Sequence, residues 1–164
     1  AQVARAEGAA RVIVAGTDAD VDLRLARASE LGFEVCNVQR ENLEARVMEL
    51  TNGYGADVVV EAAGAPPAIV TAIKLLRRGG RLCVSGITGR EEIAVPWDML
   101  VSKAASVIFA YSSRPRNWAT GLRYLAEGKV VTDPLVTHRF KLEQWQDAFA
   151  LMEKAGCIRA VLEV

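Results

Sequence analysis

An α/β fold on a parallel, doubly wound sheet is the architecture the sequence predicts, and three observations carry it. Val58, Val59 and Val60 form a continuous β-branched run, the kind that suits a strand buried on both faces of a parallel sheet. From Pro66 to Arg78 the apolar period becomes helical, with Ile69, Ile73 and Leu76 on one face. Gly79 and Gly80 then stop the helix, and Arg81 to Ser85 returns to an apolar strand. Strand, helix and strand in that order form a crossover unit, right-handed by the general rule. Both strands run out into small residues, Ala62-Ala63-Gly64 and Ser85-Gly86. Ligands of open parallel sheets sit outside the carboxyl ends of strands, where small residues let a flat molecule approach the backbone.

The remaining elements follow in order. Ala1 to Glu7 is rich in helix formers, and Gly8 ends that helix. A chain that opens inside a helix leads us to expect part of a longer protein. Arg11 to Ala15 is an apolar strand broken by Gly16, Thr17 and Asp18. Asp18 or Asp20 can cap a helix that runs to Leu31, with Leu25 and Ala28 on one face. Phe33 to Val38 is a short strand, and Glu41 to Thr51 an amphipathic helix showing Leu43, Val47 and Leu50. After Gly89, Ile93 to Val95 leads into a helix with Pro96 in its first turn and Trp97, Leu100 and Val101 as its apolar side. Ala105 to Tyr111 reads as a buried strand, and Ser112 to Asn117 as a polar crossing. Trp118, Leu122 and Leu125 line the next helix, and Trp145, Phe149 and Met152 a later one over Leu142 to Lys154. We expect both aromatic faces to be core. Val131 to Phe140 is mostly extended, and Ile158 to Val164 is a closing strand.

The bulk composition excludes several classes. The chain has 164 residues, 51% of them hydrophobic and 24% charged, as in a globular domain rather than a disordered one. Its 20 Lys and Arg balance its 20 Asp and Glu, so no global basic field recruits nucleic acid. No apolar run approaches the roughly 20 residues that a spanning helix needs, and a cytoplasmic location is expected. Cys36, Cys83 and Cys157 stand apart among apolar neighbours, as reduced core residues do. No clustered Cys or His offers a zinc site, so no metal ligand is expected here. His138, the one histidine, is expected to be structural, and Asp57 and Glu61 to be polar groups at the ends of a strand. No catalytic residue is expected in the chain.

Four segments resemble one family. Asn52-Gly53-Tyr54-Gly55-Ala56-Asp57 with Val58 to Gly64 looks like the fourth-strand segment of zinc-type medium-chain alcohol dehydrogenases. Leu76 to Gly86 is similar to the next strand of that family. Pro134 to Glu143 resembles the carboxy-terminal segment of its polyol and threonine dehydrogenase branches, and Ile158 to Leu162 its closing strand. The resemblance implies a partial dinucleotide-binding domain over residues 1–111 and, over 112–164, a segment that returns to a catalytic domain. It implies that the zinc ligands, the first strand of the nucleotide fold and the glycine-rich turn lie in the parent enzyme outside this chain. The chain alone is then inactive. The missing strand would leave two open strand edges, which close up or are filled by other chain.

The same resemblance assigns cofactor positions. In the family the second strand ends in an acid that binds the adenosine ribose of NAD; Gly16 stands there, followed by Thr17. A glycine does not repel a ribose 2′-phosphate, and Arg24 or Arg27 can add positive charge, so NADP is favoured. The competing reading makes Gly16 a turn residue and gives the ribose to Asp18 or Asp20. Ala63 and Gly64 are expected beside the adenosine, and Ser85, Gly86 and Ile87 at the nicotinamide ribose and ring. The carbonyls of Ile108 and Ala110 are expected to face the carboxamide. Arg159 is expected at the pyrophosphate, where a guanidinium makes bidentate contacts. The parent is expected to pass hydride between a secondary alcohol or polyol and NAD(P), with zinc in the parent only. It is expected to form a dimer or tetramer through the strand near 107–112. The alternatives are a Rossmann-like methyltransferase fragment and a non-catalytic dimerisation module.

Overall fold

The structure is a computed structural model that describes residues 1–164. In chain order its elements are α1 (Gln2–Ala6), β1 (Ile13–Gly16), α2 (Ala26–Glu30), β2 (Glu34–Asn37), α3 (Leu43–Leu50), β3 (Ala56–Glu61) and α4 (Pro66–Leu75). There follow β4 (Leu76–Val84), α5 (Trp97–Ser102), β5 (Ser106–Phe109), α6 (Pro115–Ala126), β6 (Val136–Lys141), α7 (Trp145–Glu153) and β7 (Arg159–Glu163). Every strand pair is parallel: β1 with β2, β3 with β4, β4 with β5, and β6 with β7. The α/β class and the parallel pairing are those expected. The strands form three separate sheets, β1-β2, β3-β4-β5 and β6-β7.

The chain divides into two compact units. One comprises residues 1–41 and 114–164, the other residues 42–113.

In the unit of residues 42–113, Ile69, Ala72, Ile73, Leu76, Leu82 and Val84 form the core, flanked by Val59, Met99, Leu100 and Val107. Alternation along a strand puts Val59 on that face and Val58 and Val60 on the other. The expectation of a strand buried on both faces is corrected here. Val58 is 52% and Val60 64% exposed, because α4 and α5 cover one face of this sheet and no element of the unit covers the other. The strand read as buried, β5, is likewise an edge strand with Phe109 largely exposed. Helix α4 ends at Leu75 rather than Arg78. Leu76 already pairs with Ala56, and the Lys103 Nζ donates to the carbonyls of Ile73, Lys74 and Leu76 at 3.0, 2.6 and 2.6 Å. An ammonium thus takes up last-turn carbonyls that would otherwise lack partners. Gly79 and Gly80 lie inside β4 rather than at a helix end.

In the other unit, the stretch from Asp18 to Glu30 begins as a 3₁₀ turn, passes through a π turn and ends as α2, burying Leu25 and Ala28. Gln2 and Val131 exchange two hydrogen bonds of 2.8 Å, and the Tyr124 hydroxyl donates to Glu7, so α1 is held by the carboxy-terminal part of its own unit. The Arg5 guanidinium lies 3.7 Å over the Phe33 ring. Helix α7 packs on β6 and β7. The apolar faces read as core are corrected. Trp118 is 65% exposed and Leu122 similarly so, and Tyr124 is the buried residue of α6. Trp145, Phe149 and Met152 share a face of α7 but stand about half exposed, and Ala148 is its buried residue. On α5, Trp97 and Val101 are also exposed, while Leu100 packs on the core. The three cysteines are free; Cys36 and Cys157 are buried as expected, whereas Cys83 is only partly buried.

Candidate functional site

The carboxyl ends of β3, β4 and β5 lie side by side, because parallel pairing sets Glu61 against Val84 and Val84 against Phe109. The chain leaves these strands through Ala62-Ala63-Gly64, Ser85-Gly86-Ile87 and Ala110. The Glu61 carbonyl accepts from the Ser85 N–H at 2.8 Å and the Gly86 N–H at 3.2 Å, and the Ala110 N–H donates to the Val84 carbonyl at 2.8 Å. Two turns meet here backbone to backbone. A Cβ on Gly64 would stand 2.4 Å from the Ile87 carbonyl oxygen, and one on Gly86 2.2 Å from the Gly64 nitrogen. Gly64 also has φ +67, a conformation that side chains rarely adopt. Around this notch Ala63, Ser85, Ile87 and Ala110 are exposed. The edge is paved with small groups and main chain, so a flat ring or a sugar can lie against it. Seven expected residues, Ala63, Gly64, Ser85, Gly86, Ile87, Ile108 and Ala110, thus fall in one unit at or next to one sheet edge. Ile108 lies within β5, in register with Cys83.

Glu61 is the residue that sequence reasoning undervalued. It ends β3, is 4% exposed, and its Oε1 accepts from the Ala63 and Gly64 N–H groups, both at 2.9 Å. Its Oε2 is buried without a hydrogen-bond partner. The signal lay in the spacing: an acid two and three residues before small residues can fold back on their amides. Asp57, at the other end, pairs with Arg77 in an exposed salt bridge.

Gly16, Thr17 and Arg159 belong to the other unit. Gly16 ends β1, and its carbonyl accepts from the Val38 N–H at 2.9 Å, just past the end of β2. A Cβ on Gly16 would come within 3.0 Å of the Asp20 Cβ and 3.1 Å of the Leu25 Cδ2, so a larger residue here would crowd both side chains. The Thr17 N–H and hydroxyl both donate to the Asp20 Oδ2 at 2.9 Å. The Asp18 Oδ1 accepts from the Asn37 Nδ2 and the Arg40 Nε, each at 2.6 Å, and the Asp18 N–H donates to the Gln39 Oε1 at 2.7 Å. The Asn37 amide, and after it the Arg40 guanidinium, holds the Asp18 carboxyl below the ordinary aspartate range. Nothing in the sequence pattern announced this cluster, since its members come from two different strand ends.

Neither arginine offered as a positive charge is unengaged. Arg24 donates to Asp20 and to the Cys157 carbonyl, and Arg27 pairs with Glu30. Arg159 opens β7 with its side chain exposed. The His138 Nδ1 lies 3.1 Å from the Thr137 Oγ1, and its ring stacks 6.2 Å from Phe140, a structural setting. No group of three or more His, Cys, Asp or Glu side chains is placed to hold a metal ion. The residues present therefore do not fit zinc, and no zinc-dependent step is assigned to them. No helix is long and apolar enough to cross a membrane.

Known proteins share this architecture. The chain is 36% identical over 163 residues to a sorbitol dehydrogenase of Halalkalibacterium halodurans, covering 99% of this chain and 47% of that protein. It is 32% identical over 162 residues to an L-threonine 3-dehydrogenase of Bacillus licheniformis, covering 98% and 46%. The solved structure of the alcohol dehydrogenase TADH of Thermus sp. ATN1 superposes with a TM-score of 0.89 at 26% identity, over 99% of this chain and 46% of that one. The chain thus spans about half the length of the relatives it matches. The family profile described as zinc-binding dehydrogenase matches residues 1–127, and on that match, with the strand edge described above, the chain belongs to the zinc-binding dehydrogenase family.

Proposed function

We propose that this chain is the nicotinamide-dinucleotide-binding part of a dehydrogenase. In our reading the whole protein transfers hydride between a secondary alcohol or polyol and NAD(P). The carrying observation is the strand edge where the Gly64 and Gly86 turns pack backbone to backbone, too close for any Cβ, beside the exposed small residues Ala63, Ser85 and Ala110, on a chain of this family. The relatives, sorbitol and threonine dehydrogenases by name, support an alcohol-bearing substrate. When bound, the dinucleotide supplies the hydride acceptor. In our reading Ala63 and Gly64 lie against the adenosine, and Ser85, Gly86 and Ile87 support the nicotinamide ribose and ring. The Ile108 and Ala110 carbonyls orient the carboxamide, and Arg159 pairs with the pyrophosphate. Zinc belongs to other parts of the whole protein.

We further propose that residues 1–111 form the nucleotide-binding portion and 112–164 the return to a catalytic domain. The protein works in the cytoplasm, and copies join through the open edge of β5. The methyltransferase and dimerisation-module readings are not carried forward, because the family is one of dehydrogenases.

Between the two dinucleotides, Gly16 supports NADP by placing no acid at the family's ribose position. A specific observation supports NAD instead. Gly16 sits close against the Asp20 and Leu25 side chains, Asp20 is occupied by Thr17 and Arg24, and Asp18 is pinned through Oδ1 by Asn37 and Arg40 with a carboxylate to offer. Fluorescence titration of the full-length polypeptide with NADH, NADPH and S-adenosylmethionine tests the reading. One of the two dinucleotides is expected to bind, and binding of the methyl donor alone overturns it. If Asp18 reads the ribose, Asp18→Asn weakens NADH about tenfold and leaves NADPH unchanged or tighter. Equal effects on both mean that Asp18 does not discriminate.

A further inference from the structure

We propose that Glu61 is a positioning residue for the bound dinucleotide, a clasp that holds two strand tips in one edge. The inference rests on the nucleotide reading above. Glu61 reaches both turns at once. Its side-chain Oε1 ties the 62–64 turn through the Ala63 and Gly64 N–H groups, each 2.9 Å away. Its main-chain carbonyl ties the next turn through the Ser85 and Gly86 N–H groups, with the Ser85 hydroxyl at 3.4 Å. The remaining oxygen, Oε2, makes no hydrogen bond although the residue is almost wholly buried. A buried acceptor without a partner is uncommon in folded proteins and asks for a reason. The reason is on its far side. A Cβ on Gly86 would stand 2.4 Å from Oε2, so the carboxylate fills the space that the glycine leaves open. Oε2 acts as a spacer against Gly86 while Oε1 acts as an anchor for Gly64. The two glycine turns, the proposed adenosine and nicotinamide supports, are thereby held at one separation. A ligand that spans both turns needs that separation preset, because ordering it on binding costs affinity.

The test uses the full-length polypeptide. NADH and NADPH are titrated by fluorescence against wild type, Glu61→Gln, Glu61→Ala, Gly86→Ala and a core control, Ile73→Val, and each melting temperature is recorded. Glutamine keeps a carbonyl oxygen for the two amides, so E61Q is expected within about threefold of wild-type affinity. E61A removes anchor and spacer, and G86A drives a methyl group into the Gly64 nitrogen and Oε2 together, forcing the two turns apart. Each is expected to weaken the preferred dinucleotide by about tenfold or more. Ile73→Val, which trims the core of the same unit, is expected to lower the melting temperature and leave affinity unchanged. Wild-type affinity in E61A or G86A overturns the proposal. So does an equal loss in E61Q and E61A, since charge would then matter rather than the clasp. So does a loss in Ile73→Val that tracks its melting temperature. Should E61A fail to fold, Glu61→Met, which keeps the length of the side chain but offers the two amides no oxygen, makes the same comparison with E61Q. A wild type that binds neither dinucleotide overturns the nucleotide reading itself, and this inference with it. That failure is seen without any variant, so the two are told apart.

Discussion

Asp20 shows how one side chain holds a local conformation that propensity leaves open. Burial alone would raise its carboxyl, but the bonds from the Thr17 N–H and hydroxyl and from Arg24 outweigh it and hold it below the ordinary aspartate range. A carboxyl lowered in the folded state stabilises the fold above its unfolded value, near 3.9, and that contribution is lost as pH falls through the folded value. Asp20→Asn is therefore expected to melt below wild type at neutral pH, with the gap closing under acid. Thermal melts across the range below about pH 5 check this, and a gap of constant size down to about pH 2 contradicts it. Arg24 extends the same network to the Cys157 carbonyl, tying this turn to the carboxy-terminal segment of its unit.

At the scale of elements, the crossover β3-α4-β4 depends on how α4 stops. The Lys103 Nζ serves three carbonyls at that end, and burial pushes its ammonium below the ordinary lysine range, with Glu44 opposing. Replacing Lys103 by Met keeps the apolar stem and strips these bonds. A loss of about 1–3 kcal/mol is expected in denaturant unfolding, the range for buried polar groups left without partners. No change would mean that water takes over the three carbonyls. Helices α6 and α7 show the limit of reading faces from periodicity. Their apolar stripes exist as spaced, and Trp145 and Phe149 do meet edge to face at 6.0 Å, yet both stripes look outward. Spacing fixes which residues share a face; it does not say what covers the face.

At the scale of the whole molecule, β5 is an open edge with exposed apolar residues, Ile108 and Phe109 among them. The Ala110 N–H turns inward to Val84, so by alternation the N–H groups of Val107 and Phe109 face outward. Such an edge invites a second strand. Phe109→Pro removes one outward donor without touching the β4 ladder. On the proposed pairing of copies through β5, it is expected to convert a dimer into a monomer in light scattering at unchanged secondary structure. An unaltered oligomer after this substitution rules out pairing through β5.

The sequence by itself determined the order and type of the elements, since a period of two or 3.6 residues is a property of neighbours along the chain. It also determined the small-residue strand tips and, through four ordered segments, the family. Element ends moved by a few residues where a side chain from elsewhere intervened, as Lys103 did at α4. What only the tertiary structure decided was burial and partnership. Val58 and Val60 carry the composition of a doubly covered strand and face outward, and Glu61, read as a polar group at a strand end, lies inside. The physical reason is that burial and hydrogen bonding depend on groups brought close by folding. The Asp18, Asn37 and Arg40 cluster and the clasp between Gly64 and Gly86 arise only where separate strands end side by side.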